Sequence, residues 1–250
     1  MSKKHFVLER GGQPPLPLIL DIPDTTVTIM DILPILFEIA DKTFSQTYRE
    51  LSPGRQVSCG PGCGHCCRQL VPATDHEALH LMNVVGGLPE THRARVLQRF
   101  EDGVSKLSQA GLLKGMTDFL TKRVHMQEEY KVVQKLYWDL RIDCPFLENE
   151  SCSIHPHRPI ACRQYSVSSD PDLCARVFNP DTVLDEIHHP VDLGGALAGF
   201  DGDNARATVM VPILFAPLFE EKLRKRTKPR LEAERMIGRF IDLAGMYAKK

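Results

Sequence analysis

Four of the chain's eight cysteines fall within nine residues, Cys59-Gly60-Pro61-Gly62-Cys63-Gly64-His65-Cys66-Cys67. No other feature restricts the fold as strongly. Gly60, Gly62 and Gly64 tolerate positive φ and Pro61 fixes a turn, so the segment reads as a folded-back loop rather than a helix or a strand. The remaining cysteines, Cys144, Cys152, Cys162 and Cys174, share one later stretch, and residues 68 to 143 contain none. This layout calls for two loop regions meeting around one or two metal centres, with the intervening helices as scaffold.

Cysteine binds metal as thiolate, and Cys63 and Cys66 form a Cys-x-x-Cys turn, the half-site of tetrahedral zinc centres and a spacing shared with iron–sulfur ligation. All eight cysteines are candidate metal ligands. Sulfur donors suit zinc and an iron–sulfur cluster alike, so the spacing leaves both open. Adjacent side chains such as those of Cys66 and Cys67 do not readily converge on one ion. They point to two neighbouring centres, or to one cysteine that packs or acts as a redox thiol. Disulfides are the other alternative. The N-terminal Met-Ser-Lys-Lys-His-Phe-Val-Leu-Glu-Arg has no apolar signal-peptide core, and no run of the sequence approaches a membrane span. A reducing, cytoplasmic setting is therefore expected, where clustered cysteines signal metal or catalysis more often than crosslinks.

The later stretch reads Cys144-Pro145-Phe146-Leu147, then Cys152-Ser153-Ile154, then Arg158-Pro159-Ile160-Ala161-Cys162-Arg163-Gln164-Tyr165. Together with the upstream loop ending in Cys63-Gly64-His65-Cys66-Cys67, it resembles the YkgJ-type CxxCxxCC cysteine-cluster family, described as zinc- or iron-chelating. The resemblance spans roughly residues 55 to 180 and includes several residues besides cysteine. Two departures stand out: His155, where the family usually has Tyr, and three residues rather than two between Cys59 and Cys63. Flagellin lysine-N-methylase is similar over the same cysteine pattern. The resemblance implies a metal-binding protein with a structural, metal-handling or electron-transfer role, or alternatively a metal-dependent protein-modifying enzyme. No glycine-rich loop for S-adenosylmethionine is visible in the sequence. A thiol switch at Cys66-Cys67 is a third reading.

Two arginines, Arg158 and Arg163, lie beside these cysteines. They either favour the deprotonated thiols electrostatically or simply pair with acids. His76, His80, His92 and His125 read as surface or packing residues, since none stands at metal spacing from a cysteine. His188-His189 is a weaker extra candidate.

The expected fold is α+β and predominantly α-helical, with short strands and two cysteine-rich loop regions. An N-terminal arm over residues 5 to 9 and 16 to 29 carries one or two short strands among several prolines. Asp31 caps a helix over about 32 to 51, with Ile32, Ile35, Leu36, Ile39, Phe44, Tyr48 and Leu51 at helical spacing and Pro34 in the first turn. Thr74-Asp75-His76-Glu77 matches a capping box opening a helix over about 75 to 85. Further helical patterns cover about 89 to 110 and 115 to 140, the latter including Phe119, Leu120, Val124 and Val133. Leu147 and Cys152 flank a hairpin turn. Residues 204 to 224 look helical, broken by Pro212 and Pro217. The basic run Arg224 to Arg230 is flanked by glutamates and reads as a solvated helix junction. A final helix over about 231 to 248 carries Met236, Ile237, Phe240, Ile241, Ala244 and Tyr247 on a face that must dock on the domain or on a protein partner. Three regions follow: an arm and first helix (1–54), a cysteine-cluster metal-binding domain (55–180) and a C-terminal helical extension (181–250), packed as one globular unit. With a formal net charge of −1, neither nucleic acid nor a membrane surface is an expected partner.

Overall fold

Gly11 and Gly12 order the N-terminus. Both have positive φ, 48° and 78°, a conformation that glycine adopts freely and a two-residue hairpin turn requires. They join β1 (Ser2–Arg10) to β2 (Gln13–Ile22) in antiparallel register, with Ser2 opposite Ile22 and Leu8 opposite Leu16. The expected irregular arm is thus a continuous hairpin. Pro15 and Pro17 are tolerated in β2 because a two-stranded ribbon leaves alternate N–H groups of each strand unpaired, and the adjacent Pro14 falls where the register shifts between Leu8 and Arg10. The computed structural model describes residues 1–121, 127–204, 208–226 and 228–248.

After β3 (Thr26–Val27), helix α1 spans Ile29–Arg49. It starts earlier than expected, because Thr28 rather than Asp31 is its cap. Asp31 sits one turn in, and its carboxylate accepts the Thr28 N–H at 2.7 Å and the Thr28 hydroxyl at 2.9 Å. Pro34 consequently lies inside the helix rather than in its first turn, and the helix forgoes one backbone hydrogen bond there. Ile32, Leu36, Ile39 and Phe44 are buried as the spacing predicts, whereas Leu51 lies beyond the helix end.

Strand β4 (Pro72–Thr74) runs into α2 (Asp75–Gly87) through the capping box read from the sequence: Thr74 Oγ accepts the Glu77 N–H at 3.2 Å, and the Glu77 carboxylate accepts the Thr74 N–H at 2.8 Å. Helix α3 (Glu90–Gln109) buries Val96, Phe100 and Leu107. The next expected helix is two described helices, α4 (Leu113–Thr121) and α5 (Gln127–Asp139). The side chain of Leu120, and Val124 and His125, lie outside the described residues. Strands β5 (Leu147–Glu148) and β6 (Ser151–Cys152) form the expected small hairpin with Leu147 opposite Cys152. Asn149 and Glu150 take positive φ of 50° and 55°.

The short helix α6 (Ile160–Gln164) follows, then α7 (Leu193–Ala198). Where the sequence reads as broken helix, Pro212 instead closes a strand, β7 (Met210–Pro212), which pairs antiparallel with β4. Helix α8 (Ala216–Arg224) takes Pro217 in its first turn. Strand β8 (Leu231–Glu232) pairs with β3 and leads into α9 (Ala233–Met246). The fold is α+β and mainly helical, with four separate two-stranded ribbons among the described residues. No described helix is long and apolar enough to cross a membrane.

Two hydrophobic cores result. The first joins the β1–β2 hairpin, α1, α7 and α9, and buries Met236, Ile237, Phe240, Ile241 and Ala244 of the last helix. The second joins α2, α3, Phe146, Ile154 and the segment from Val211 to Leu223, and Cys144, Cys152 and Cys162 pack on its flank. The C-terminal region therefore divides between the two cores.

The basic junction after α8 is tied down by ion pairs. Arg224 pairs with Glu220, Lys225 with Glu221 and Arg226 with the buried Asp75, while Lys228 Nζ donates to His76 Nδ1 at 2.8 Å. Burial holds His76 neutral, with its pKa lowered from 6.5 to about 4. The unfolded chain therefore takes up a proton that the folded chain refuses between those values. Stability from neutral His76 is fully present above about pH 6.5 and is lost as pH falls towards 4. At matched metal content, His76→Gln should flatten the decline of the urea midpoint across that window; an unchanged slope would show that His76 does not drive it.

Candidate metal centre

The first cysteine loop has no regular structure until it tightens into a 3₁₀ turn at His65–Arg68, which carries Cys66 and Cys67. Gly62 takes φ 87°, and the Cys63 N–H donates to Gly60 O at 3.1 Å, folding the loop back as its glycines predict. Backbone and side-chain bonds fasten this loop to the second cysteine stretch. The Cys144 N–H donates to Cys67 O at 2.7 Å, the Gly62 N–H to Ser151 Oγ at 3.1 Å, and the Ser58 N–H to Val167 O at 3.0 Å. Arg68 reaches across to Glu150 at 2.6 Å and Asp143 at 2.9 Å, and His65 Nε2 lies 3.2 Å from Asp172. The approach is close enough that a Cβ on Gly64 would stand 2.5 Å from the Glu150 carboxylate and 2.8 Å from a Leu147 methyl.

The second stretch is held from below. Glu77 Oε1 accepts the Ile160 N–H at 2.7 Å, at the start of the helix α6 that presents Cys162. Arg163 donates to both Asp41 oxygens at 2.7 and 2.6 Å, to Pro156 O at 2.5 Å and to Arg158 O at 2.8 Å, with its guanidinium 4.6 Å over the Phe37 ring. Cys174 is buried on a 3₁₀ turn at Pro171–Arg176, in contact with the Tyr165 phenol.

All eight cysteines are free thiols; Cys59 is exposed, Cys174 buried and the rest half-buried. Cys66 is electrostatically coupled to Cys67, to Cys63 and Cys174, and to Cys144, Cys152 and Cys162. Cys59 acts on Cys63 and Cys174. The docking of the two stretches thus brings cysteines of both into one region.

Burial pushes the Cys144, Cys162, Cys152 and Cys63 thiols up, and raises Cys174 to about 11. Cys66 is raised first by its bond to Cys67 and then by burial. Sulfur donors suit zinc or an iron–sulfur cluster by their softness, although among the described residues no three Cys, His, Asp or Glu groups already surround one ion position.

Apart from His65 on the first cysteine loop, the histidines make other contacts. His76 pairs with Lys228, His80 Nε2 faces His157 Nδ1 at 3.3 Å, and His92 Nε2 lies 3.3 Å from Glu148. His189 packs on the Phe44 and Tyr48 rings and contacts Gln164 O at 3.1 Å; His155 and His188 are exposed. Arg68 and the second role of Glu77 escape a sequence reading. Glu77 is visible as a capping residue, but nothing in the sequence signals its bond to Ile160.

Residues 58–179 match the CxxCxxCC family model, described as "Putative zinc- or iron-chelating domain". No curated protein and no solved structure matches the chain. Both cysteine-bearing segments, and all eight cysteines, fall inside the matched stretch, which spans just under half of the chain.

Proposed function

We propose that the domain binds zinc or an iron–sulfur cluster through thiolates of Cys59, Cys63, Cys66, Cys67, Cys144, Cys152, Cys162 and Cys174, and that the bound metal locks its two cysteine loops together. The observation that carries this reading is the close docking of the two cysteine stretches, with the Cys144 N–H on Cys67 O at 2.7 Å, the Gly62 N–H on Ser151 Oγ at 3.1 Å and no room for a Cβ at Gly64. A centre built there crosslinks segments separated by some eighty positions of sequence. Its main effect is on structure: zinc would supply a closed crosslink, and a cluster would add electron transfer.

Elemental analysis and an absorption spectrum of protein purified without oxygen test the proposal. Iron with acid-labile sulfide and a brown colour identifies a cluster, whereas colourless protein with zinc identifies a thiolate zinc site. Metal in neither form would overturn the proposal. Within it, Cys66→Ser should lose more metal than Cys59→Ser, because Cys66 lies on the turn fastened to the second stretch and Cys59 is exposed. Equal losses would show that this position carries no special weight. Gly64→Val should also lower metal content with every thiol intact, at a cost of about 1–3 kcal/mol in stability, because the added side chain separates the two loops. Full metal loading of Gly64→Val would mean that their close approach is dispensable.

A further inference from the structure

The contact between His80 and His157 differs in kind from those of the other histidines. His65 and His92 face carboxylates, His76 faces Lys228 and His189 a backbone carbonyl. His80 Nε2 instead faces His157 Nδ1 at 3.3 Å, one ring nitrogen against another. The two rings come from different elements, and both elements are held. His80 lies on α2 and packs edge-on against Phe37 of α1, with ring centroids 5.6 Å apart. His157 closes the 3₁₀ turn His155–His157; its N–H donates to Ile154 O at 2.7 Å, and Arg163 grips the same turn at Pro156 O. His157 is exposed and His80 half-buried, so solutes reach the pair.

Two neutral imidazoles whose nitrogens face each other avoid opposing lone pairs in one of two ways. Either one ring donates an N–H to the other, or a cation takes both lone pairs. The spacing suits the cation. A tetrahedral ion bound to two imidazole nitrogens at about 2.0–2.1 Å sets those nitrogens about 3.3–3.4 Å apart and the ring centroids about 5.2 Å apart. Here the nitrogens stand 3.3 Å apart and the centroids 5.3 Å. That separation is long for an N–H hydrogen bond.

We propose that His80 and His157 form a second metal site, open and built from imidazole, that takes a divalent transition ion. Imidazole nitrogen suits zinc, copper and nickel, whereas thiolate selects softer ions. Among the described residues no third Cys, His, Asp or Glu closes the site, so water fills the remaining positions. A site closed by four protein ligands retains its ion, and one with open positions exchanges it more readily. His157 lies between Cys152 and Cys162 in sequence. The exchangeable ion is thus held on the stretch that presents those cysteines, yet by donors independent of the thiolate centre proposed above.

The test uses the full chain and zinc alone, added beyond what the thiols take up, with the histidine ring nitrogens followed by NMR. Zinc should shift His80 Nε2 and His157 Nδ1 together in a single saturating event, and should fix the ring protons on His80 Nδ1 and His157 Nε2. His80→Gln and His157→Gln should each weaken this binding by more than about tenfold, the smaller loss that follows removal of a mere outer-shell partner of a ligand. His155→Gln, which alters an exposed histidine of the same turn, should leave it unchanged. Because His157 is exposed, His157→Gln carries the test even where His80→Gln does not fold. Ring nitrogens unmoved by zinc would show an imidazole–imidazole hydrogen bond only. Equal shifts of His155 and the pair would show unspecific surface binding, and wild-type affinity in His157→Gln would put the ion elsewhere. Each of these outcomes overturns the site. The paired ring shifts in a chain whose cysteines take up no zinc would instead count against the thiolate centre and uphold this one.

Discussion

The carboxylate of Glu77 fastens the cysteine region to the helical frame. It is buried, and burial raises its pKa. Three donors offset that cost: the Thr74 N–H at 2.8 Å, the Thr74 hydroxyl at 3.1 Å and the Ile160 N–H at 2.7 Å. One side chain thus caps the start of α2 and anchors the start of α6, eighty-odd residues apart in sequence. Apolar contacts alone would not fix the direction in which α6 presents Cys162, because they have no preferred geometry. A buried carboxylate with specific donors does, since any rotation of α6 strands an oxygen away from water.

The same economy governs the junction between the cysteine loops. Little apolar surface is available around residues 58 to 64, and the loop is placed by a chain of polar bonds: Ser58 to Val167, Gly62 to Ser151, Cys67 to Cys144 and Arg68 to Glu150 and Asp143. Partly exposed ion pairs of this kind contribute little energy individually. Their value lies in register, because together they leave a single way for the loops to meet.

Much of this was legible in the sequence wherever the signal was local. The Thr74–Glu77 capping box, the turn between Leu147 and Cys152 and the apolar face of α9 all depend on residues a few positions apart, and the structure reproduces them. The Gly11-Gly12 turn was equally local but masked by prolines, whose usual hostility to strands does not apply to a two-stranded ribbon. Thr28 and Asp31 compete for the cap on composition alone, and only the Thr28–Asp31 geometry separates them. β7 could not be read, because its strand character comes from pairing with β4, more than a hundred residues away. At the centre, cysteine spacing named the candidate donors, but not how the two stretches join at Cys67 and Cys144 or that Arg163 is taken up by Asp41 and the Phe37 ring. Both depend on how distant segments dock.

That docking also bears on what metal would do for the chain. Neither hydrophobic core contains a cysteine, and Cys144, Cys152 and Cys162 sit on the flank of the second. Neutral thiols are inexpensive to bury, whereas thiolates are not, so protons and metal compete for the same desolvated sulfurs. In the protonated state Cys144 and Cys162 behave as small apolar side chains against the second core. On the proposed function, metal would exchange those protons for a shared cation and turn packing residues into crosslinks. The energetic effect of loading would then be concentrated in the loop from 58 to 67, which the second core does not include, while the helices of that core would keep the donors at hand.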